Sequence, residues 1–154
     1  RKQLLGVAPT ERLRDASWKG AYDLEFTEKV YEEVMRRAGV VLASGRPVVI
    51  DASFRSRAMR ARARELAQRH SVPFRFVECA APPEVCRKRL RDREGHASVS
   101  DGRLEIFDDF RAKYEPVDEL PKVDHFVIDT SRRLSDTMRD LAKRIAVWPK
   151  GLVA

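Results

Sequence analysis

The chain has 154 residues, a mass of 17.7 kDa and a formal net charge of +7. That length suits one domain with a real core, and 43% apolar residues with both charge signs frequent exclude a disordered chain. No run approaches the ~18 consecutive apolar residues of a membrane span, no secretory signal opens the sequence, and two cysteines, Cys79 and Cys86, are too few for a disulfide scaffold and lack metal-ligand spacing.

A cytoplasmic, reducing compartment is therefore expected. The positive charge favours anionic partners: phosphorylated small molecules, nucleotides or nucleic acid. Arg1 to Gly6 has no initiator Met and reads like a helix tail ended by a C′ glycine, as in the middle of a longer protein.

Thr10 is placed to cap a short helix through Trp18. Asp23 is placed to cap a long one reaching about Ala43, with Val30, Val34, Ala38 and Val41 at helical spacing. Ser44-Gly45 closes it. Pro47 to Ile50 is a short, β-branched apolar run that reads as a buried strand ended by Asp51. Ligands of open parallel sheets sit beyond the carboxyl ends of the strands. Asp51 there either holds a metal ion and its waters or caps the next helix.

That helix is expected from about Arg55 to His70, with Met59, Ala63, Leu66 and Ala67 buried. Arg57, Arg60 and Arg64 then form an opposite stripe, either a solvated face or a nucleic-acid contact. Phe74 to Cys79 reads as a second strand. The helix Glu84 to Glu94 turns Val85, Cys86 and Leu90 inward, with Arg89 and Arg93 in the same sector. Two inward arginines at i, i+4 repel; either an anion such as phosphate offsets this, or both pair with carboxylates or snorkel to the rim.

Residues 95–103, rich in Gly and Ser, read as a mobile loop. Ser100 or Asp101 is placed to cap a helix to about Tyr114, with Leu104, Phe107, Phe110 and Tyr114 on its apolar side. Residues 84–116 together have the make-up of a lid. A third strand is expected over 124–131. A last helix covers 134–147, with Leu134, Met138, Leu141 and Ile145 inward and Trp148-Pro149 ending it. This alternation predicts an α/β fold, a mainly parallel sheet with helices on both faces. Three strands make the sheet thin, as if one were missing.

The ordered set Arg1-Lys2-x-Leu-x-Gly-Val-x-Pro, Val-Val-Ile-Asp51-Ala-Ser53-Phe54, Pro-Phe-x-Phe-Val-Glu-Cys, Pro-Glu-Val-Cys-x-Lys-Arg89-Leu-x-x-Arg93 and Val-Ile-Asp129-Thr130-Ser131 resembles the P-loop (AAA_33-type) ATP-dependent kinases. That family is similar to polynucleotide kinase, zeta toxin and gluconate kinase. The resemblance implies a three-layer αβα fold over residues 1–154 and a kinase that moves the γ-phosphoryl group of ATP, with Mg²⁺, to a hydroxyl of a small molecule or nucleic-acid end. It implies that Asp51 holds the Mg²⁺ shell, that Ser53, Phe54 and Arg55 line the acceptor site, that Arg89 and Arg93 are lid arginines on the transferring phosphoryl group, and that Thr130 and Ser131 lie near the adenine. Arg57 is a further candidate for an anionic acceptor. Some members are fused to an aminoglycoside-phosphotransferase-like domain. The sequence contains no Gly-x-x-x-x-Gly-Lys-Ser/Thr loop to cradle the phosphates. In the family that loop, the first strand and an acidic general base precede the segment resembling Arg1-Lys2. The alternative reading is a non-catalytic basic module that binds nucleic acid, or a degenerate nucleotide-binding domain.

Overall fold

The computed structural model describes residues 1–94, 96 and 98–145. The chain divides into two compact units. One joins Arg1–Phe74 to Arg87–Val117, and the other joins Arg75–Cys86 to the segment from Asp118 on.

In the first unit, a 3-10 turn over Lys2–Leu5 ends at Gly6, whose φ of +69° is the left-handed cap expected there. No helix forms over 10–18. The backbone there bonds to other segments instead: Leu13 N–H donates to the Asp101 carboxylate at 3.1 Å, and the carbonyls of Leu13 and Asp15 accept from Arg103. Helix α1, Leu24–Ala43, starts where Asp23 accepts the N–H groups of Glu25 and Phe26. Helix α2, Arg57–Arg69, is capped by Ser56, and α1 packs on α2. Met59, Ala63, Leu66 and Ala67 are all buried, as their spacing predicts.

Arg60 corrects the stripe reading. It is fully buried, with 0% of its surface exposed. Its Nη1 donates to the Phe54 carbonyl at 2.9 Å and its Nη2 to the Pro116 carbonyl at 3.1 Å. At 100° per residue Arg60 lies only about 20° beyond Ala67, at the edge of the apolar arc. A planar fork of donors can be buried there because carbonyls meet it. The proposed nucleic-acid stripe thereby loses its middle cation.

The expected strand over 47–50 does not form among the described residues, and Val49 is 76% exposed. Composition gives β propensity, but a strand exists only when a neighbour takes its ladder hydrogen bonds. None does so for this run. Helix α4, Leu104–Ala112, begins after Arg103 without a side-chain cap. Neither Ser100 nor Asp101 caps it, because the Asp101 carboxylate is engaged with Lys2 Nζ at 3.1 Å and with Leu13. Ile106 is its buried residue, while Phe107 and Phe110 are half-buried.

In the second unit, β1 (Phe76–Ala80) and β2 (His125–Asp129) pair in parallel, from Phe76 opposite His125 to Ala80 opposite Asp129. His125 Nε2 lies 2.8 Å from Glu78 Oε2 on the adjacent strand. Helix α3, Pro83–Glu94, starts in this unit and continues into the other. Helix α5, Leu134–Arg144, packs on β2. Its inward face differs from the expected one: Leu134 is 74% and Met138 52% exposed, while Thr137 is buried. Thr137 Oγ1 donates to the Asp129 carbonyl at 3.1 Å and so fixes the helix against the strand end by a polar residue. The expected end of this helix at Val147 and the Trp148-Pro149 stop lie outside the described residues, as do Gly95 and Ala97 of the loop.

The architecture is thus α/β with a parallel sheet, two-stranded among the described residues instead of three-stranded. A parallel pair needs a long crossover, which α3 and α4 supply in sequence. No described helix is long and apolar enough to cross a membrane.

Candidate functional site

The first unit holds a cleft of about 480 Å³ lined by Asp51, Ser53, Arg55, Arg1, Arg103 and Phe110, with Tyr22, Tyr31 and Phe107 also on its walls. That volume is in the range of small-molecule sites. Three predicted residues, Asp51, Ser53 and Arg55, therefore meet at one place. Asp51 is exposed, and among the described residues no hydrogen bond or ion pair engages its carboxylate. A helix-capping role is excluded, since Ser56 caps α2.

Phe54 stands behind the cleft wall. It is 6% exposed, and its ring meets Tyr31 edge-on at 5.4 Å. Its φ of +41° is unusual for a bulky residue. The Tyr31 hydroxyl, 3.0 Å from Phe54 N and 3.3 Å from Ser53 Oγ, holds this backbone. Tyr31 is itself fixed on the buried face of α1. The chain that aims Asp51 and Ser53 is thus pinned by a phenol from α1 and, through Arg60, by α2.

Arg1 is half-buried. Its guanidinium donates to the Ala21 carbonyl and to Thr27 Oγ1 and lies over the Tyr22 and Phe26 rings. Burial lowers its pKa, although the nearby phenols of Tyr22 and Tyr31 act the other way. Burial also raises the Tyr22 phenol, with Asp101 adding to the effect. Arg55 is lowered by burial too. Arg103 is spent on carbonyls of residues 13, 15 and 101. Gly20, at φ +52°, makes the bend before Tyr22, and a Cβ there would fall 2.5 Å from the Asp15 carboxylate, whose Oδ2 accepts Ala21 N–H.

Arg93 lines an adjoining cleft of about 240 Å³ with Arg12, Arg14 and Arg103, and its Nη2 donates to the Gly102 carbonyl at 3.0 Å. The two clefts share Leu90 and residues 100–103. Arg89 is exposed and lines neither, so the two arginines do not share one inward sector. Thr130 and Ser131 belong to the second unit. Thr130 bonds through its N–H and hydroxyl to the Ala80 carbonyl, and Ser131 bonds to Asp129, so both finish the strand ends.

Sequence reasoning missed Arg1, Tyr22, Tyr31 and Arg103 as cleft residues. Tyr31 carried a signal, being one turn from Thr27 and Val34 on the inward face of α1. Arg103 carried none, for it lies in a loop whose path is tertiary. Among the described residues no group of three or more His, Cys, Asp or Glu could hold a metal. Two carboxylates line the cleft, Asp51 and Asp101, and Asp101 is paired with Lys2, which leaves Asp51 as the one open to an ion. That donor set fits Mg²⁺, which keeps most of its waters and takes one or two carboxylates together with substrate phosphates.

Comparison with known protein families matches residues 1–117 to the AAA_33 family, described as an AAA domain. No curated protein and no solved structure matches the chain. The match covers every residue of the cleft and more than half of the chain, and with its parallel α/β order the protein belongs to this family of nucleotide-binding, P-loop NTPase/kinase-like domains.

Proposed function

We propose that the protein is an ATP-dependent phosphotransferase that moves the γ-phosphoryl group to a hydroxyl of a small molecule or a nucleic-acid end. The observation that supports this reading is the Asp51 carboxylate, unengaged among the described residues, sharing a cleft with Ser53, Arg55 and Arg1. Phosphoryl transfer asks a protein for positioning and charge neutralisation more than for covalent chemistry. Asp51 would hold Mg²⁺ through its waters, and the ion would neutralise charge between the phosphates. Ser53 and Arg55, with Phe54 fixing the chain between them, would orient the acceptor. Arg93 would meet the transferring group from residues 84–116, acting as a lid, with Arg89 in a lesser part. Thr130 and Ser131 would border the adenine. The chain contains no Walker A run, so this reading needs a phosphate cradle from residues preceding Arg1, with 1–154 the later part of one kinase domain. A fused aminoglycoside-phosphotransferase-like domain is compatible with it, as is a cytoplasmic location.

The complete gene product is the material to assay. Mg-ATP binding by calorimetry, with ADP release stimulated by a hydroxyl acceptor, is the expected result. Neither ATP binding nor acceptor-dependent ADP release across sugars, nucleosides and 5′-hydroxyl oligonucleotides would overturn the reading.

A further inference from the structure

Against Arg55 and Phe110, two residues that line the same cleft, the indole of Trp18 gathers two cations. The Arg55 guanidinium carbon lies 4.2 Å and Lys113 Nζ 4.5 Å from its ring centroid. The ring is itself held by Phe110, stacked at 4.5 Å and 17°. Trp18 has a φ of +63°, a conformation that persists only where surroundings enforce it. Two like charges on one ring repel, and neither is held in an ion pair among the described residues. The two carboxylates that act on Arg55 are committed elsewhere. Glu115 accepts the Arg57 N–H at 2.6 Å, and Glu28 pairs with Arg62 at 2.6 Å. Both act on Arg55 only at a distance.

A half-buried arginine stacked on a tryptophan loses little freedom on binding, and its planar donors suit a phosphate. A lysine beside it supplies a second point charge. Arg55 and Phe110 also line the cleft, so Arg55 faces whatever occupies it, with Trp18 and Lys113 directly behind it. We infer that Trp18, Arg55 and Lys113 form a recognition site for the phosphate-type dianion of a small acceptor: a hydroxyl compound that already carries a phosphate monoester. This deepens the phosphotransferase reading and rests on it for the word acceptor. The anion site itself stands on the geometry.

The test is a titration without ATP, so that its outcome is independent of any transfer reaction. The complete gene product carrying Trp148→Phe is titrated with glycerol 3-phosphate, and with glycerol as the uncharged control. Within residues 1–154 Trp18 is then the sole tryptophan, and its fluorescence is followed beside calorimetry. Saturable binding of glycerol 3-phosphate but not glycerol is expected, weakened about tenfold or more by Arg55→Ala and by Lys113→Ala. Lys113 is exposed, so Lys113→Ala keeps the fold and carries the test if Arg55→Ala does not. Affinity unchanged in Lys113→Ala, equal response to glycerol, or tighter Arg55-dependent binding of an oligonucleotide than of any small phosphate would each overturn the assignment. No binding of glycerol 3-phosphate when Arg55 and Lys113 are both intact, with transfer to an uncharged hydroxyl retained, would remove this site and leave the kinase reading standing.

Discussion

The Tyr31 hydroxyl accepts the backbone N–H of Phe54 at 3.0 Å and thereby anchors a residue whose φ is +41°. Helix α1 thus supports the segment that presents Asp51 and Ser53. Left-handed backbone at a bulky residue costs on the order of 1–3 kcal/mol, so removing its support has two effects. Tyr31→Phe leaves a buried N–H unpaired and destabilises by about 1–2 kcal/mol in urea unfolding. It also raises the acceptor KM more than it lowers kcat. Unchanged stability would show that the phenol is not what holds this segment.

Arg60 is the side chain that α2 contributes to the same segment. Arg60→Met keeps much of the volume but leaves the Phe54 and Pro116 carbonyls without their donor, at a cost of about 3 kcal/mol. Arg60→Lys recovers only part of that, since one ammonium cannot reproduce the planar fork. Denaturant midpoints read both variants. A neutral Arg60→Met would mean that water replaces the guanidinium.

Lys2 and Asp101 form an ion pair whose side chains are only 11% and 6% exposed. Asp101→Asn strands a shielded ammonium and costs about 3 kcal/mol. The exposed Lys29–Glu25 pair is expected to contribute under about 1 kcal/mol when broken by Glu25→Gln. Thermal unfolding of the two variants side by side checks the contrast, and equal effects would refute it.

The lid arginines differ in their surroundings. Arg93→Ala is expected to lower kcat of the complete protein by about 10³-fold, the scale of a charge-stabilising arginine. Arg89→Ala, removed from an exposed position, should cost far less. Asp51→Asn should abolish Mg-dependent turnover with no change in melting temperature, because among the described residues nothing bonds to that carboxylate. Steady-state kinetics decide all three, and equal losses from Arg89→Ala and Arg93→Ala would contradict the geometry.

Acid stability has a defined direction. Hydrogen bonds from Arg36 and Arg37 hold the Glu33 carboxyl down at about 2, against an ordinary 4.5. A carboxylate with a lowered folded-state pKa adds stability above its unfolded value, and that contribution is lost as pH falls toward the folded one. The melting temperature should therefore decline between about pH 4.5 and 2, and Glu33→Gln should flatten the decline. Since Glu33 pairs at the surface, the effect is small and shrinks with added salt. A decline identical in both proteins would remove Glu33 as a contributor.

Local rules made much of this chain legible. Asp23 caps α1, Gly6 ends the first turn, and the 3.6-residue spacing of Met59, Ala63, Leu66 and Ala67 fixed the buried face of α2. These depend on contacts within a few residues, which sequence encodes directly. The gathering of Asp51, Ser53 and Arg55 was legible for the same reason, being one short run.

What only the tertiary structure decided are the relationships between distant segments. Pro47 to Ile50 has the composition of a strand, yet among the described residues no neighbour takes its ladder bonds. Arg60 reads as a surface cation, yet carbonyls six and 56 residues away receive it. Thr137, not Leu134 or Met138, is buried on α5 because β2 offers it a carbonyl. Trp18 draws Arg55 and Lys113 together from across the chain. Burial and pairing belong to the space around a residue, and periodicity records only which way its own helix or strand faces.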